Sequence, residues 1–328
     1  MSTSSRSKKG RVDFLITGAA GFIGERLVKR LLSDGHTVQG VDLQAGSEPT
    51  LRMDITSEEQ VLATFRRLRP RAVIHLAAVV DDRGAPELFE RVNVDGTQHV
   101  VSAAIEAEVE RFVHVSSIVA LGFDPGHDAG EASPLVFDTG VPYFDTKARS
   151  EALVREAMKH GSLRGCVLRP GDVYGERSVP WVVRPIDMMR KRLPVLVAGG
   201  RGLMAHCHVD NLVQGLSLAA THPDALGHIF QIHEATERTT YRRYFTLLAE
   251  QAGVPKPTFS LPFSFGVGVG RVFDQMHRRF GIHPPFGEGA VRYVARQSTY
   301  SLSTARGVLG YTPTITLEEG IANLNLSR

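Results

Sequence analysis

Two groups of residues in this chain could do chemistry together. Tyr143 and Lys147 stand four apart in Tyr143-Phe144-Asp145-Thr146-Lys147, about 120 residues after the glycine-rich stretch Thr17-Gly18-Ala19-Ala20-Gly21-Phe22-Ile23-Gly24. A phenol has an unperturbed pKa of ~10, too high for easy proton exchange at neutral pH. An ammonium one helical turn away favours the phenolate and lowers that pKa. The pair therefore suits proton transfer to or from a carbonyl or alcohol. A glycine turn between a strand and a helix lets backbone N–H groups approach a pyrophosphate at the positive end of the helix dipole. Gly18, Gly21 and Gly24 are placed for that task, at spacings of three and three. Asp42 follows 18 residues after Gly24. A carboxylate at a strand end there can hold both adenosine ribose hydroxyls and repels a 2′-phosphate, which favours NAD over NADP. Its plain structural reading is a turn or cap aspartate. Asp54, in Met53-Asp54-Ile55, is a weaker candidate for adenine contact.

These groups need elements to position them. The first half alternates strand-like and helix-like segments. Residues 12–16 are a short apolar run before the glycine turn. Residues 25–33 have helical spacing, with Leu27, Leu31 and Leu32 on one side and Gly35 as the stop. Strands are expected at 37–43, 72–76, 112–115 and 165–168. Helices are expected at 57–68, with Ser57 as N-cap, at 89–107, and from Tyr143 to about 160. This alternation implies a parallel sheet with helices on both faces. Beyond Arg169-Pro170-Gly171, prolines at 170, 180, 185 and 194 break the chain into shorter pieces. Short strands at 206–209 and 230–232, and helices at 210–220, 240–253 and 304–309, with another starting at 317, complete the reading. Residues 255–286, rich in Phe, Pro and Gly, resist assignment. The expected organisation is a basic disordered tail (1–11), a dinucleotide-binding domain (12–175) and a mainly substrate-binding lobe (176–328), with 206–235 returning to the main sheet.

Bulk properties narrow the class. The chain has 328 residues, 42% of them hydrophobic, enough for a sizeable core. Its formal charge is +3, and Arg6, Lys8, Lys9 and Arg11 in the tail account for much of it. The remaining charges are mixed in sign, which argues against a nucleic-acid partner. No apolar run is long enough to span a bilayer, so no integral membrane segment is expected. The two cysteines, Cys166 and Cys207, suit a reducing compartment and no disulfide framework. A soluble cytoplasmic protein is the expectation.

Taken in order, these motifs resemble the extended short-chain dehydrogenase/reductase family. The resemblance is carried by 17–24, Asp42, Asp54, His75-Leu76-Ala77-Ala78, Asn93-Val94-Asp95-Gly96-Thr97, Ser116-Ser117, 143–147, Leu168 to Gly175, His208-Val209-Asp210-Asn211 and Leu309 to Pro313. It runs from residue 12 to about 322. Val115-Ser116-Ser117-Ile118, 169–175 and the ending from Tyr300-Ser301 to Glu318-Glu319-Gly320 are most similar to the 3β-hydroxysteroid dehydrogenase-like branch. The resemblance implies a Rossmann-type doubly wound parallel sheet with a smaller C-terminal substrate-binding lobe. It implies Tyr143 as general acid/base, Lys147 lowering its pKa and holding the nicotinamide ribose, and Ser117 donating to the substrate oxygen. Cofactor contacts are implied at Gly18, Gly21, Phe22, Ile23, Gly24, Asp42, Asp54, Ile55, Ala77, Asn93, Tyr143, Lys147 and Pro170. Asn93 can equally be a helix N-cap. A homodimer is implied as well.

The related nucleotide-sugar epimerases and dehydratases share the first half of this pattern. They usually carry an arginine, for the substrate's diphosphate, four residues before the histidine of the His-Val-Asp motif. Here that residue is Met204. The expected function is therefore NAD(P)-dependent interconversion of a secondary alcohol and a ketone on an apolar, steroid-like or polyketide-like, substrate. A nucleotide-sugar epimerase or dehydratase is the alternative, and a non-enzymatic dinucleotide sensor the second. His206, Cys207 and His208 alternate along a strand and do not converge, so no metal is expected. Phe259, Phe263, Phe265, Phe273 and Phe280 read either as core or as a lid over an apolar substrate.

Overall fold

The computed structural model describes residues 11–326 apart from 45, 48, 81–84, 235–237 and 282–284. All of the tail expected to be disordered, except Arg11, lies outside the described residues. In the first half, strands β1 (Phe14–Thr17), β2 (Val38–Asp42), β3 (Thr50–Arg52), β4 (Ala72–His75), β5 (Arg111–Val115) and β6 (Gly165–Pro170) alternate with helices α1 (Phe22–Ser33), α2 (Glu58–Leu68), α3 (Pro86–Phe89), α4 (Gly96–Glu106) and α5 (Pro142–Lys159). Next come β7 (Asp172–Tyr174), α6 (Arg184–Arg190), β8 (Leu196–Val197), β9 (His206–His208), α7 (Val209–Thr221), β10 (Ile229–Ile232), α8 (Tyr241–Ala252) and β11 (Ser260–Leu261). The chain ends with α9 (Phe263–Phe280), α10 (Glu288–Ala295), α11 (Ser303–Leu309) and α12 (Leu317–Ala322).

Seven strands form one sheet in the order β10-β6-β5-β4-β1-β2-β3, every pairing parallel. Strands that are apolar but for a polar residue at the end, such as Phe-Leu-Ile-Thr in β1 and Ala-Val-Ile-His in β4, are buried along their whole length, as a sheet covered on both faces requires. Two apolar clusters lie on its two sides, one with Ile16, Leu27, Ile74, Leu168 and Leu216, the other with Leu15, Val61, Val73, Phe112 and Val167. Strand order reverses at the β1/β4 pair, where a doubly wound sheet opens a crevice beyond its carboxyl ends.

Local chemistry explains several element ends. The Ser57 hydroxyl accepts from the Gln60 N–H, and Glu58 and Glu59 follow in the first turn of α2, matching its dipole. Gly35, at φ +87°, follows the end of α1. Within α1, Leu27 and Leu31 are buried, but Leu32 is 41% exposed and leaves the face expected for it. The helix expected over 89–107 is interrupted by a π-helical stretch, Glu90–Asp95, between α3 and α4. Such wider turns recur at functional sites, and this one buries Asn93.

Of the segment 206–235, β10 adds to the edge of the main sheet beside β6. β9 pairs instead with β7 in a separate two-stranded ribbon. A third apolar cluster, built on Tyr174, Ile186, Met204, Tyr244, Leu248 and Ile321, holds the second lobe together.

Candidate active site

The glycine turn sits at the sheet's switch point, and its geometry leaves no room for a side chain at Gly18 or Gly24. Gly18 has φ +71°, and a Cβ there would lie 2.8 Å from the Ala77 nitrogen. A Cβ on Gly24 would lie 2.2 Å from the Gly18 carbonyl oxygen. The turn therefore packs directly on the end of β4 and on the first turn of α1. Gly21 is exposed, and a Cβ there would meet only the Gly18 oxygen, at 3.2 Å. No side chain caps α1, so its first N–H groups can serve an anion. The Phe22 ring lies against Gly175 and Ile23 packs on the core, so both offer backbone to the turn.

Asp42 comes to the same place. Its carboxylate accepts from the Ala20 N–H at 3.0 Å and the Gln44 N–H at 3.0 Å, fastening the end of β2 to the turn. Asp54 accepts from the N–H and hydroxyl of Thr56, at 2.9 and 2.8 Å, in the turn before α2. The Ile55 side chain is a core residue, buried against Gly96. Behind the turn the Thr17 hydroxyl bonds His75 Nδ1 (2.7 Å) and the Ala77 N–H (3.2 Å). His75 Nε2 meets the Thr97 hydroxyl at 3.0 Å. Burial, with Lys147 adding to it, holds the His75 pKa down at about 3, so the imidazole is a neutral strut. A glycine cradle that any Cβ would fill, an uncapped helix start and a carboxylate at the neighbouring strand end fit a dinucleotide.

The catalytic residues expected from sequence converge beyond β5 and on α5. Ser117 follows β5 and accepts from the Val119 N–H at 3.3 Å, and its hydroxyl lies close enough to the Tyr143 phenol to oppose the rise in that group's pKa. Ser116 points elsewhere, to Glu151 at 2.7 Å. Lys147 is buried and its Nζ donates to the Val115 carbonyl at 2.6 Å. Asn93 is not an N-cap: its amide exchanges hydrogen bonds with the Val79 backbone and reaches the Thr146 hydroxyl. It thus ties the loop after β4 to the catalytic helix. Pro170 closes β6 within the buried sheet.

The electrostatics differ from the expectation that Lys147 lowers the tyrosine pKa. Burial pushes the Tyr143 phenol up to about 12, and the Ser117 hydroxyl is the group pulling it down. Lys147 is spent on the Val115 carbonyl, and burial lowers its own pKa to about 8 against the opposing charge of Glu151. A phenol so placed stays protonated at neutral pH, and it is a weaker acid than a free tyrosine. It needs further positive charge nearby to become a base.

Sequence reading missed Glu151 and Arg169. Both side chains are fully buried and hydrogen-bonded to each other, with Ser116 and the Gly130 carbonyl completing the set. Glu151 lies four residues after Lys147 on α5, and Arg169 is a charge inside an apolar strand; either oddity could have flagged them. Also missed was an aromatic wall. Tyr143 shares a cluster with Val119, Phe123, Val141, Phe144, Trp181 and Tyr293. Phe144 and Tyr293 meet edge to face at 5.4 Å, and Trp181 lies 6.2 Å from Tyr293 and stacks on Tyr241 at 5.8 Å. Trp181 rides on a second π-helical stretch, Val179–Val183. Tyr293 is held by Asp172 Oδ1 at 2.8 Å, which also pairs with buried Arg296.

One other expectation resolves differently. Phe259, Phe263, Phe265 and Phe280 are 42–67% exposed and face outward, because α9 packs through Gly266, Val267 and Gly270 onto α10. α10 is the element that meets the site, through Tyr293 and through Gly289 against Val141. His206 bonds Glu234 and Thr239, His208 caps α7, and Cys207 lies in the core. Among the described residues no cluster of potential metal ligands forms.

A family model described as the NAD dependent epimerase/dehydratase family matches residues 14–232. The chain belongs to that family. Within it, the chain is 27% identical to a farnesyl-dihydroquinoline-oxide ketoreductase of Stigmatella aurantiaca, covering 93% of each. It is 29% identical to a 3β-hydroxysteroid dehydrogenase/Δ5→4-isomerase of Mycobacterium tuberculosis, covering 97% of this chain and 90% of the relative. Among solved structures it resembles the Thermus thermophilus UDP-glucose 4-epimerase in complex with NAD, with TM-score 0.74, 26% identity and coverage of 95% and 96%. The protein is thus an extended short-chain dehydrogenase/reductase of Rossmann type with NAD as cofactor.

Proposed function

We propose that this protein interconverts a secondary alcohol and a ketone on an apolar substrate. The observation that carries the proposal is the aromatic wall of Phe123, Phe144, Trp181 and Tyr293 around Tyr143. Rings of this kind bury apolar surface and exclude water, and they offer nothing to a diphosphate. Met204, where a nucleotide-sugar enzyme would usually carry arginine, is an uncharged core residue, 2% exposed. Arg177 is paired with Glu25 at 2.7 Å. The ketoreductase and hydroxysteroid dehydrogenase relatives support the same reading.

NAD, when bound, would supply hydride transfer at the substrate carbon. Gly18, Gly21, Gly24 and Asp42 hold its adenosine diphosphate half. In reduction the Tyr143 hydroxyl gives its proton to the carbonyl oxygen, and solvent later restores it. Ser117, whose hydroxyl lies beside that phenol, donates to the same oxygen as charge develops. Lys147, although its Nζ is bonded to the Val115 carbonyl, is the cation one helical turn away that a phenolate would require, and Glu151 favours its protonated form against the opposing effect of burial. The aromatic wall keeps water out and orients the apolar body of the substrate.

Nucleotide-sugar epimerisation is the second reading, favoured by the likeness to the Thermus thermophilus enzyme. One experiment separates the two. Purified protein is given NAD or NADP with hydroxysteroids and other hydrophobic alcohols, and the reduced-nicotinamide absorbance is followed. Turnover with NAD supports the dehydrogenase. Silence there, with conversion of a UDP-sugar by protein that retains NAD, replaces it with the epimerase.

A further inference from the structure

We propose that the outer face of α9 docks this protein on an anionic lipid surface. The helix is apolar on two opposite sides. Its inner side packs on α10, through Val267 against Val291 among others. On its outer side Phe265, Val269, Val272, Met276 and Phe280 recur at spacings of four, three, four and four, forming one stripe. Phe265 is 59% exposed, Val272 54% and Phe280 67%. A helix apolar on both sides needs a second apolar partner, and a continuous exposed stripe marks where it sits.

The charges around the stripe choose the occupant. Between residues 256 and 281 the cations with described side chains are Lys256, paired with Glu250 at 2.5 Å, Arg271, paired with Glu288 at 2.7 Å, and Arg279, and the single acid of the segment is Asp274. Asp274 is turned inward to accept the Glu288 N–H at 2.9 Å. The Arg279 guanidinium lies over the Phe280 ring at 5.9 Å, the disposition of a cation that remains at a headgroup while its neighbour enters the acyl layer. The parallel pairing of β8 with β11 sets the chain leading into each strand at one end of their ribbon. That sets the segment Lys191, Arg192 and exposed Leu193, which leads into β8, at the same end as exposed Phe259, which leads into β11 before α9. An apolar aromatic stripe with a basic rim matches an interface bearing anionic headgroups. A second copy docked face to face would oppose these same cations. No described helix is long and apolar enough to cross a membrane, so α9 lies along the surface.

The α9–α10 pair also connects this surface to the proposed reaction. α10 carries Tyr293 onto the aromatic wall beside Tyr143 while α9 lies outside it. Docking through α9 would therefore present the covered side of the site to a layer in which an apolar substrate dissolves. Docking itself is read without substrate, so it stands or falls apart from the dehydrogenase reading.

The test is co-sedimentation of the full chain with vesicles of phosphatidylcholine alone or mixed with phosphatidylserine. A Phe265→Glu/Val272→Glu variant is compared, and circular dichroism and NADH binding report that it is folded. Exposed positions tolerate these changes. Wild type should bind the mixed vesicles at least about tenfold more tightly than the neutral ones, lose that binding at high salt, and lose about tenfold or more in the variant. No binding to the mixed vesicles, or equal binding by the folded variant, overturns the proposal. So does a wild-type dimer that the variant dissolves without vesicle binding, which would assign the stripe to a second copy.

Discussion

Replacing Tyr143 by phenylalanine tests the assignment of the acid/base most directly, because the structure separates what that change does to stability from what it does to chemistry. The ring keeps its packing beside Phe144, at 6.3 Å between centroids. What is lost is one hydroxyl beside Ser117, and even a full hydrogen bond there would contribute only about 0.5–1.5 kcal/mol net. Ser117 retains its bond from the Val119 N–H. Loss of about 1 kcal/mol in a domain of this size lowers Tm by only a few degrees, about 2–4 °C. Loss of a general acid/base lowers turnover by about 10²–10⁴, or about 3–5 kcal/mol in the transition state. Turnover should therefore collapse well below the melting temperature. NADH affinity, read by energy transfer from Trp181, the single tryptophan, should change less than about threefold, since a lost hydroxyl removes at most one weak contact to the cofactor. Turnover within about tenfold of wild type would refute the assignment.

The remaining predictions concern cofactor, substrate and pH. Asp42→Ser should raise the relative affinity for NADP at least about tenfold by removing the repelling carboxylate, measured by parallel titration of both nucleotides; an unchanged ratio would return Asp42 to a purely structural role. Trp181→Ala should raise KM for polycyclic alcohols far more than for short-chain ones, because it removes wall rather than acid/base; equal effects on both would remove it from the pocket. In the reducing direction turnover should be level below pH about 8 and fall above it, since burial lowers the Lys147 pKa to about 8 and its charge disappears beyond that point; a profile flat through that range would contradict the role given to Lys147. Stability should fall as pH drops below 6.5, because buried His75 and His233 stay neutral in the fold down to about 3 and 4 while the unfolded chain takes up protons. Thermal melts that are unchanged between neutral pH and about pH 5 would contradict that sign.

Much of the fold was legible because short-range rules set it. The run before Gly18, the Ser57 cap and the strand-helix alternation are local signals, and each led to the element it predicted. The π-helical stretch over Glu90–Asp95 was not legible, since an extra residue in a turn leaves helical periodicity almost unchanged. Nor was the pairing of β9 with β7, because a three-residue strand has no pattern that names its partner.

For the site, the sequence by itself determined residue types and order: a glycine turn, an acid at the next strand end, a serine pair, and a tyrosine and lysine one helical turn apart. Those are covalent facts, and the family's chemistry follows from them. Tertiary structure alone decided what surrounds them. Burial carries the Tyr143 pKa up and the Lys147 pKa down, against the expectation from their spacing, because removing a group from water penalises its charged form more than a distant or diverted charge can repay. It also brought Phe123, Trp181 and Tyr293, far apart in the chain, onto one tyrosine, and turned the phenylalanines of α9 away from it. Spacing along the chain fixes what can react; only packing in three dimensions fixes the dielectric and the walls in which it reacts.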